Sequence, residues 1–144
     1  MIDRLLSTEM MDLVQRSLDA AALSHKVIAN NLANVDTPGF KRSDVQFSDK
    51  LKRAMETRRT APQHLAAALT DSRHLEFNED TAVADVKPEV VTDVTSTLRN
   101  DGNNVDIDQE VSLLAQNTVW YQTLSQITQM QFSSLRTAIL EGRR

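Results

Sequence analysis

From Val111 to Leu140, thirty consecutive residues carry a single charged side chain, Arg136; fourteen of the others are Ser, Thr, Asn or Gln and fifteen are apolar or aromatic. A helix with one face in water normally clothes that face in Lys and Glu, because charges are best hydrated there. A stretch with almost no charge is expected to be covered on several sides. Amides and hydroxyls tolerate such cover, since they can hydrogen-bond to neighbours without the desolvation penalty of ions. So many polar residues exclude a lipid span.

The same stretch is patterned as a helix. Val111, Leu114, Thr118, Tyr121, Ser125, Thr128, Phe132, Leu135 and Ile139 step by alternating threes and fours, which predicts one long helix from Asp106 to about Glu141. Asp106 and Gln109 have the spacing of a capping box at its start, and Gly142 marks its stop.

A second stripe opens the chain. Met11, Val14, Leu18, Ala21, His25, Ile28, Leu32 and Val35 predict a helix over Ser7–Val35 with Thr8 as cap. Ala20 to Val35 carries only Lys26 as a charge. Asp36-Thr37-Pro38-Gly39 ends this helix, because Pro disfavours helix in the residue before it and Gly permits a left-handed turn. The expected fold is all-α: the two terminal helices pack as a coiled-coil-like pair, antiparallel or at a small crossing angle, around an irregular middle segment. The packing positions are Val14, Leu18, Ala21, Ile28 and Leu32 in the first helix, and Val111, Leu114, Tyr121, Phe132, Leu135 and Ile139 in the last. With 144 residues, one structural unit is expected, in segments 1–47, 48–100 and 101–144.

The middle is less regular. Asp49–Arg58 is expected to form a short basic helix and Gln63–Leu69 another; Ser72–Asn100 is acidic and aperiodic, with Thr92–Thr97 either a short strand or unstructured chain. Lys41 to Arg59 holds seven basic and three acidic residues, whereas Glu76 to Glu110 holds ten acidic and two basic. Either the basic segment of one copy faces the acidic segment of another, setting register through complementarity, or both are simply solvated.

Several function classes drop out. A formal charge of −4 argues against nucleic acid as a partner, since phosphate binding needs clustered Lys and Arg. There is no cysteine, so disulfides, thiolate metal sites and cysteine nucleophiles are excluded. His25, His64 and His74 are too scattered for a metal or acid–base set. No Ser-His-Asp or phosphate-cradling Gly pattern appears. No catalytic residue, cofactor or metal is expected, nor any membrane span, and the N-terminus lacks a cleavable leader.

Two strings are more specific. Ala29-Asn30-Asn31-Leu32-Ala33-Asn34-Val35-Asp36-Thr37-Pro38-Gly39-Phe40-Lys41 closes the first helix, and Asp101-Gly102-Asn103-Asn104-Val105-Asp106-Ile107-Asp108-Gln109-Glu110 opens the last. The second is not an EF-hand, which needs Gly at its sixth position and Glu at its twelfth, where Asp106 and Ser112 stand. Together they resemble the terminal signatures of the flagellar rod, hook and hook-associated axial proteins. Ser43-Asp44-Val45-Gln46-Phe47 after the first signature, the ending Leu135 to Arg143, and the short span between the signatures are similar to a proximal-rod member.

The resemblance implies a non-enzymatic structural subunit of the proximal rod of the bacterial basal body, exported without a cleaved signal peptide to the periplasmic rod. Such a subunit polymerises through its terminal helices, transmits torque and encloses the export channel. Its partners would be copies of itself, other rod proteins, and membrane-ring or export-gate adaptors. The residues it singles out for assembly are Asn30, Asn31, Asn34, Asp36, Thr37, Pro38, Gly39 and Phe40, then Gly102, Asn103, Val105, Asp106, Asp108 and Glu110. The alternatives are a different proximal-rod protein or a soluble helical export chaperone or adaptor, which would be a charge-rich small oligomer that never polymerises.

Overall fold

A computed structural model describes residues 8–60 and 86–141. In chain order these form helix α1 (Thr8–Ala33), strand β1 (Ser43–Gln46), helix α2 (Ser48–Thr60), strand β2 (Glu89–Thr92) and helix α3 (Ile107–Glu141). The side chain of Thr8, the expected cap, and the expected helix Gln63–Leu69 lie outside what is described.

The terminal helices pack on each other. Asn31 in the last turns of α1 bonds to Glu110 in the first turn of α3, and Asn117 Nδ2 donates to the carbonyl of Ala21 at 2.9 Å. As α3 advances its partners on α1 recede, so the pair is antiparallel. With 26 residues in α1 and 35 in α3, and a rise of about 1.5 Å per residue, α3 is the longer by roughly 13 Å. Continuing the pairing places about its last ten residues beyond the described start of α1.

Besides the buried Val14, Ala21, Ile28 and Leu124 on the two helices, an apolar cluster ties α1 to the middle of the chain. Ala20 of α1, Phe47, Ala54 of α2 and Val86 are buried together, with Val45 and Leu51 packed against them. The alanines matter here, since a side chain of one methyl lets α2 approach α1 closely. Burying Phe47 as the one large side chain in this group supplies most of its hydrophobic free energy, about 2 kcal/mol.

β1 and β2 pair antiparallel, Ser43 opposite Thr92 through Gln46 opposite Glu89. The strand expected over Thr92–Thr97 thus ends where it was expected to begin. Glu89-Val90-Val91-Thr92 owes its extended form to the partner strand, which local sequence does not reveal. Beyond Thr92, Asp93 turns the chain: its Oδ1 accepts from the backbone N–H and hydroxyl of Thr95 and the N–H of Ser96, and its Oδ2 accepts from the Ser96 hydroxyl. Side-chain bonds of this kind compete with the strand ladder and end it.

The charge segregation along the middle is in part settled within the chain. Lys50 pairs with Glu89 and Arg42 with Glu110, so these basic residues meet acidic ones of the same copy. Arg53 and Glu56 also have partners.

Gly39 adopts φ 72° with nothing near the position of an added Cβ. Any cost of substitution there is therefore backbone strain alone. Gly39→Ala is expected to lower stability by about 1 kcal/mol, and Gly39→Asn by less, read as the shift in urea unfolding midpoint.

Candidate functional site

Two helix ends meet around a set of buried polar side chains, and each end has backbone groups that need partners beyond the helix itself. The C-terminus of α1 exposes its last carbonyls, and ordinarily water or a glycine-based turn takes them up. Here the N–H groups of Asn34 and Val35 take up the carbonyls of Asn30, Asn31 and Leu32, and a side chain distant in sequence takes up the carbonyls of the turn that follows. Asn103, fully buried, donates through Nδ2 to the carbonyls of Asn34 (3.1 Å), Val35 (3.0 Å) and Thr37 (2.9 Å). Its Oδ1 accepts from the Val105 N–H at 2.7 Å, and its own carbonyl accepts from the N–H groups of Leu98 and Arg99. A single amide thus holds the turn after α1 and shapes the approach to α3.

The two turns interlock around it. Gly39 N–H donates to the Asp101 carbonyl at 3.0 Å, and Gly102, at φ 85°, has its Cα side turned so that an added Cβ would sit 3.9 Å from the Gly39 Cα. Arg99 reaches across to the Val35 carbonyl and to Asp36. Asn34 holds its own turn, donating to the Asn30 carbonyl and Oδ1 while its Oδ1 accepts from the Thr37 hydroxyl. Phe40 is half-buried; Asn30 and Pro38 are exposed.

Below the turns lies a second polar knot. Asn31 is fully buried; its amide takes both backbone groups of Ser43, accepting from N–H at 3.0 Å and donating to the carbonyl at 2.7 Å. Asn31 therefore occupies the outer edge of β1 as another strand would. Its Nδ2 also donates to Glu110 Oε2 at 3.2 Å, and Arg42 Nε donates to Glu110 Oε1 at 2.5 Å. Glu110 has no exposed surface and Arg42 little. A buried carboxylate is tolerable only when its oxygens are occupied, and both are. Asn104 joins the knots, accepting from Arg42 N–H at 2.6 Å and donating to the Asp93 carbonyl and the Ser96 hydroxyl.

The start of α3 behaves as the sequence indicates. Asp106 Oδ1 accepts from the N–H groups of Asp108 and Gln109, and Val105 is buried just before it. Asp108 itself faces solvent. No group of residues able to hold a metal ion occurs among the described residues.

Of the expected packing positions, Val14, Ala21 and Ile28 are buried and Leu18 and Leu32 half-buried or better. On α3 the seam is turned from the expected stripe. Leu114 and Leu135 lie in it half-buried, but Val111, Tyr121, Phe132 and Ile139 are exposed. The seam is centred on Glu110, Asn117, Leu124 and Gln131, with Leu113 and Ile127 half-buried on one flank and Leu114, Ser125, Thr128 and Leu135 on the other. Periodicity counts apolar residues; it is blind to a Glu and an Asn that enter the seam because specific partners await them. Arg42, Asn104, Asn117, Leu124, Asp93 and Arg99 were likewise not legible as site residues, though the doubled Asn103-Asn104 after a glycine is a cue of turn chemistry.

Asn103→Ala removes a fully buried amide whose two N–H groups serve three carbonyls of the turn after α1, and is expected to cost about 2–4 kcal/mol in chemical denaturation. Asn103→Asp should cost as much, because it keeps the shape but loses the donor. The four bonds to the Asp93 carboxylate hold its pKa well below the usual range, hydroxyls of Ser96 and Thr95 first. A depressed folded pKa means the contribution is present above the unfolded value, about 3.9, and is lost as pH falls through the folded one. The stability difference between wild type and Asp93→Asn should therefore be constant near neutrality and shrink in acid below about pH 4, as read by denaturation at a series of pH values.

Comparison with known proteins places these features in a lineage. A family described as flagella basal body rod protein matches residues 15–41, which span most of α1 and the turn after it. A flagellar basal body rod protein FlgB of Borrelia hermsii is 41% identical over 129 residues, covering 90% of this chain and 94% of the relative. The protein of that name from Bacillus subtilis is 35% identical over 130 residues, with 90% and 92% covered. That of Escherichia coli K12 is 29% identical over 128 residues, with 89% and 91% covered.

Proposed function

The chain belongs to the flagellar basal body rod protein family, and from that we propose that it is a structural subunit of the proximal rod which assembles through its two terminal helices. The relatives named above share one description and are matched over nearly their whole length, which supports this rod component over another.

The observation that carries the reading is the surface of α3. Val111, Val119, Trp120, Tyr121, Met130, Phe132, Ile139 and Leu140 are all exposed, Ile139 at 72%, on a helix with one charge between Val111 and Leu140. Large apolar groups on a charge-poor helix suit burial against further chains. Copies of the chain and other rod proteins are the partners that the family suggests, with membrane-ring or export-gate adaptors at one end. Rows of such close-packed contacts resist deformation, which is what a shaft carrying torque around an export channel requires.

In this reading segments 1–47 and 101–144 are the axial parts of one structural unit and 48–100 the variable part. The two signatures, Asn30 to Phe40 and Gly102 to Glu110, act as the joint that holds the axial helices together for assembly. The role is mechanical, without catalysis. Its place is the periplasmic rod, reached by export from the cytoplasm; no described helix is long and apolar enough to cross a membrane.

The test is to place charge on the exposed ridge. In flagellated cells lacking their own copy, the wild-type chain should restore swimming. A Phe132→Glu/Ile139→Glu chain, with unchanged helicity by circular dichroism, should not, and isolated basal bodies should lack the rod. Full swimming with that variant would defeat the proposal.

A further inference from the structure

Asp101-Gly102 is the chain's one Asp-Gly step, and no Asn-Gly step occurs. In such a step the backbone nitrogen of the glycine can attack the aspartate's own side chain, because no side chain shields that nitrogen and the backbone around glycine turns freely. The chemistry is a dehydration followed by a hydrolysis. Gly102 N forms a bond to Asp101 Cγ, the bond from Cγ to the carboxyl hydroxyl breaks, and that hydroxyl leaves as water with the amide proton. Water then opens the five-membered ring at either carbonyl. One opening restores aspartate. The other leaves an isoaspartyl residue, whose main chain runs through Cβ and Cγ and whose former backbone carbonyl is a free carboxylate.

Each group that this reaction needs is engaged by the joint. Gly102 N–H donates to the Arg99 carbonyl at 3.1 Å, so its proton is held. Asp101 Oδ1 accepts from the Asn103 N–H at 3.1 Å, which turns the carboxylate toward residue 103. The Asp101 carbonyl accepts from Gly39 N–H at 3.0 Å, and the Asn103 carbonyl ties the loop by accepting from the N–H groups of Leu98 and Arg99. The peptide between Asp101 and Gly102 cannot turn until several of these bonds part together. Hydrogen bonding is the restraint here and burial is not, since Asp101 is exposed and water for the second step is at hand.

The product does not fit the closed arrangement. The carbonyl that Gly39 uses would leave the main chain. The extra backbone atom would carry Asn103 out of register with the carbonyls of Asn34, Val35 and Thr37.

We infer that Asp101-Gly102 is a site of isoaspartyl formation which the closed joint holds in check, so that the modification marks chains in which the two turns have parted. The inference concerns the single chain and stands apart from the function proposed above.

The test keeps the full chain in mildly acidic buffer at body temperature. Isoaspartate at residue 101 is followed over days by isoaspartyl methyltransferase labelling and by electron-based fragmentation of peptides spanning it. In urea above the unfolding midpoint, wild type should accumulate isoaspartate as fast as a peptide of residues 98–105 does. An Asp101→Glu chain, whose side chain is too long for a five-membered ring, should not. In native buffer the wild-type rate should be lower by roughly tenfold or more, because only the open fraction reacts. Between these limits the rate should climb shallowly with urea from well below the midpoint, since opening one joint exposes little surface. Asn103→Ala should react faster than Phe47→Ala, which weakens the apolar cluster and leaves the joint its bonds, when the two are compared in urea concentrations that give equal global stability.

Equal rates in folded and unfolded wild type would overturn the inference, as would absence of isoaspartate from the unfolded chain. So would a rate that rises only with the steep slope of global unfolding, or equal rates in Asn103→Ala and Phe47→Ala. Should Asn103→Ala fail to fold, the wild-type urea series decides by itself.

Discussion

Everything in this molecule is arranged around the meeting of two helix ends, and the groups that make them meet are polar and buried. A helix terminus is a cluster of unsatisfied backbone groups, so bringing two of them together demands partners for each. Asn103 serves three carbonyls in the turn after α1, while Asn31 serves the edge of β1 and one oxygen of Glu110. Both asparagines and Glu110 are fully enclosed. An apolar contact would tolerate small slips; a set of directed bonds, each costly to leave unmade, does not.

That joint decides the rest of the architecture. It brings together residues from opposite ends of the chain, sets the antiparallel sense of α1 and α3, and holds β1 where β2 can pair with it. Apolar burial among the described residues comprises the cluster of Ala20, Phe47, Ala54 and Val86, together with Val14, Ala21, Ile28, Val105 and Leu124. Among the described residues, much of the exposed large apolar surface lies on α3. Such a distribution is sensible for a subunit whose remaining burial comes from its neighbours, since a rod protein that satisfied itself fully would have little to offer the next copy.

How much of this was legible in the sequence differs from element to element. Both long helices were, to within a turn at their ends, because their apolar residues recur at helical spacing and neither contains Gly or Pro; α2 was, from its run of Lys, Arg and Leu after Phe47. The Asp106 cap and the turn at Gly39 were, since each is local chemistry between residues a few positions apart. The strand Glu89–Thr92 was misplaced, because four exposed residues have no burial pattern to betray them. On α3 the seam was displaced by one residue in one column, because a count of apolar positions gives no weight to Glu110 and Asn117.

By itself, then, the sequence determined the local and periodic features: where the helices run, how they stop, that α3 is poor in charge, and which family's signatures flank the middle. These depend on neighbours in the chain, whose separation is fixed by covalent geometry. Only the tertiary structure decided what Asn31, Asn103, Arg42 and Glu110 are for, that Lys50 and Glu89 pair inside one copy, and which face of α3 looks outward. Each of those depends on which distant group lies within about 3 Å, the reach of a hydrogen bond, and no periodicity in a linear sequence encodes that distance.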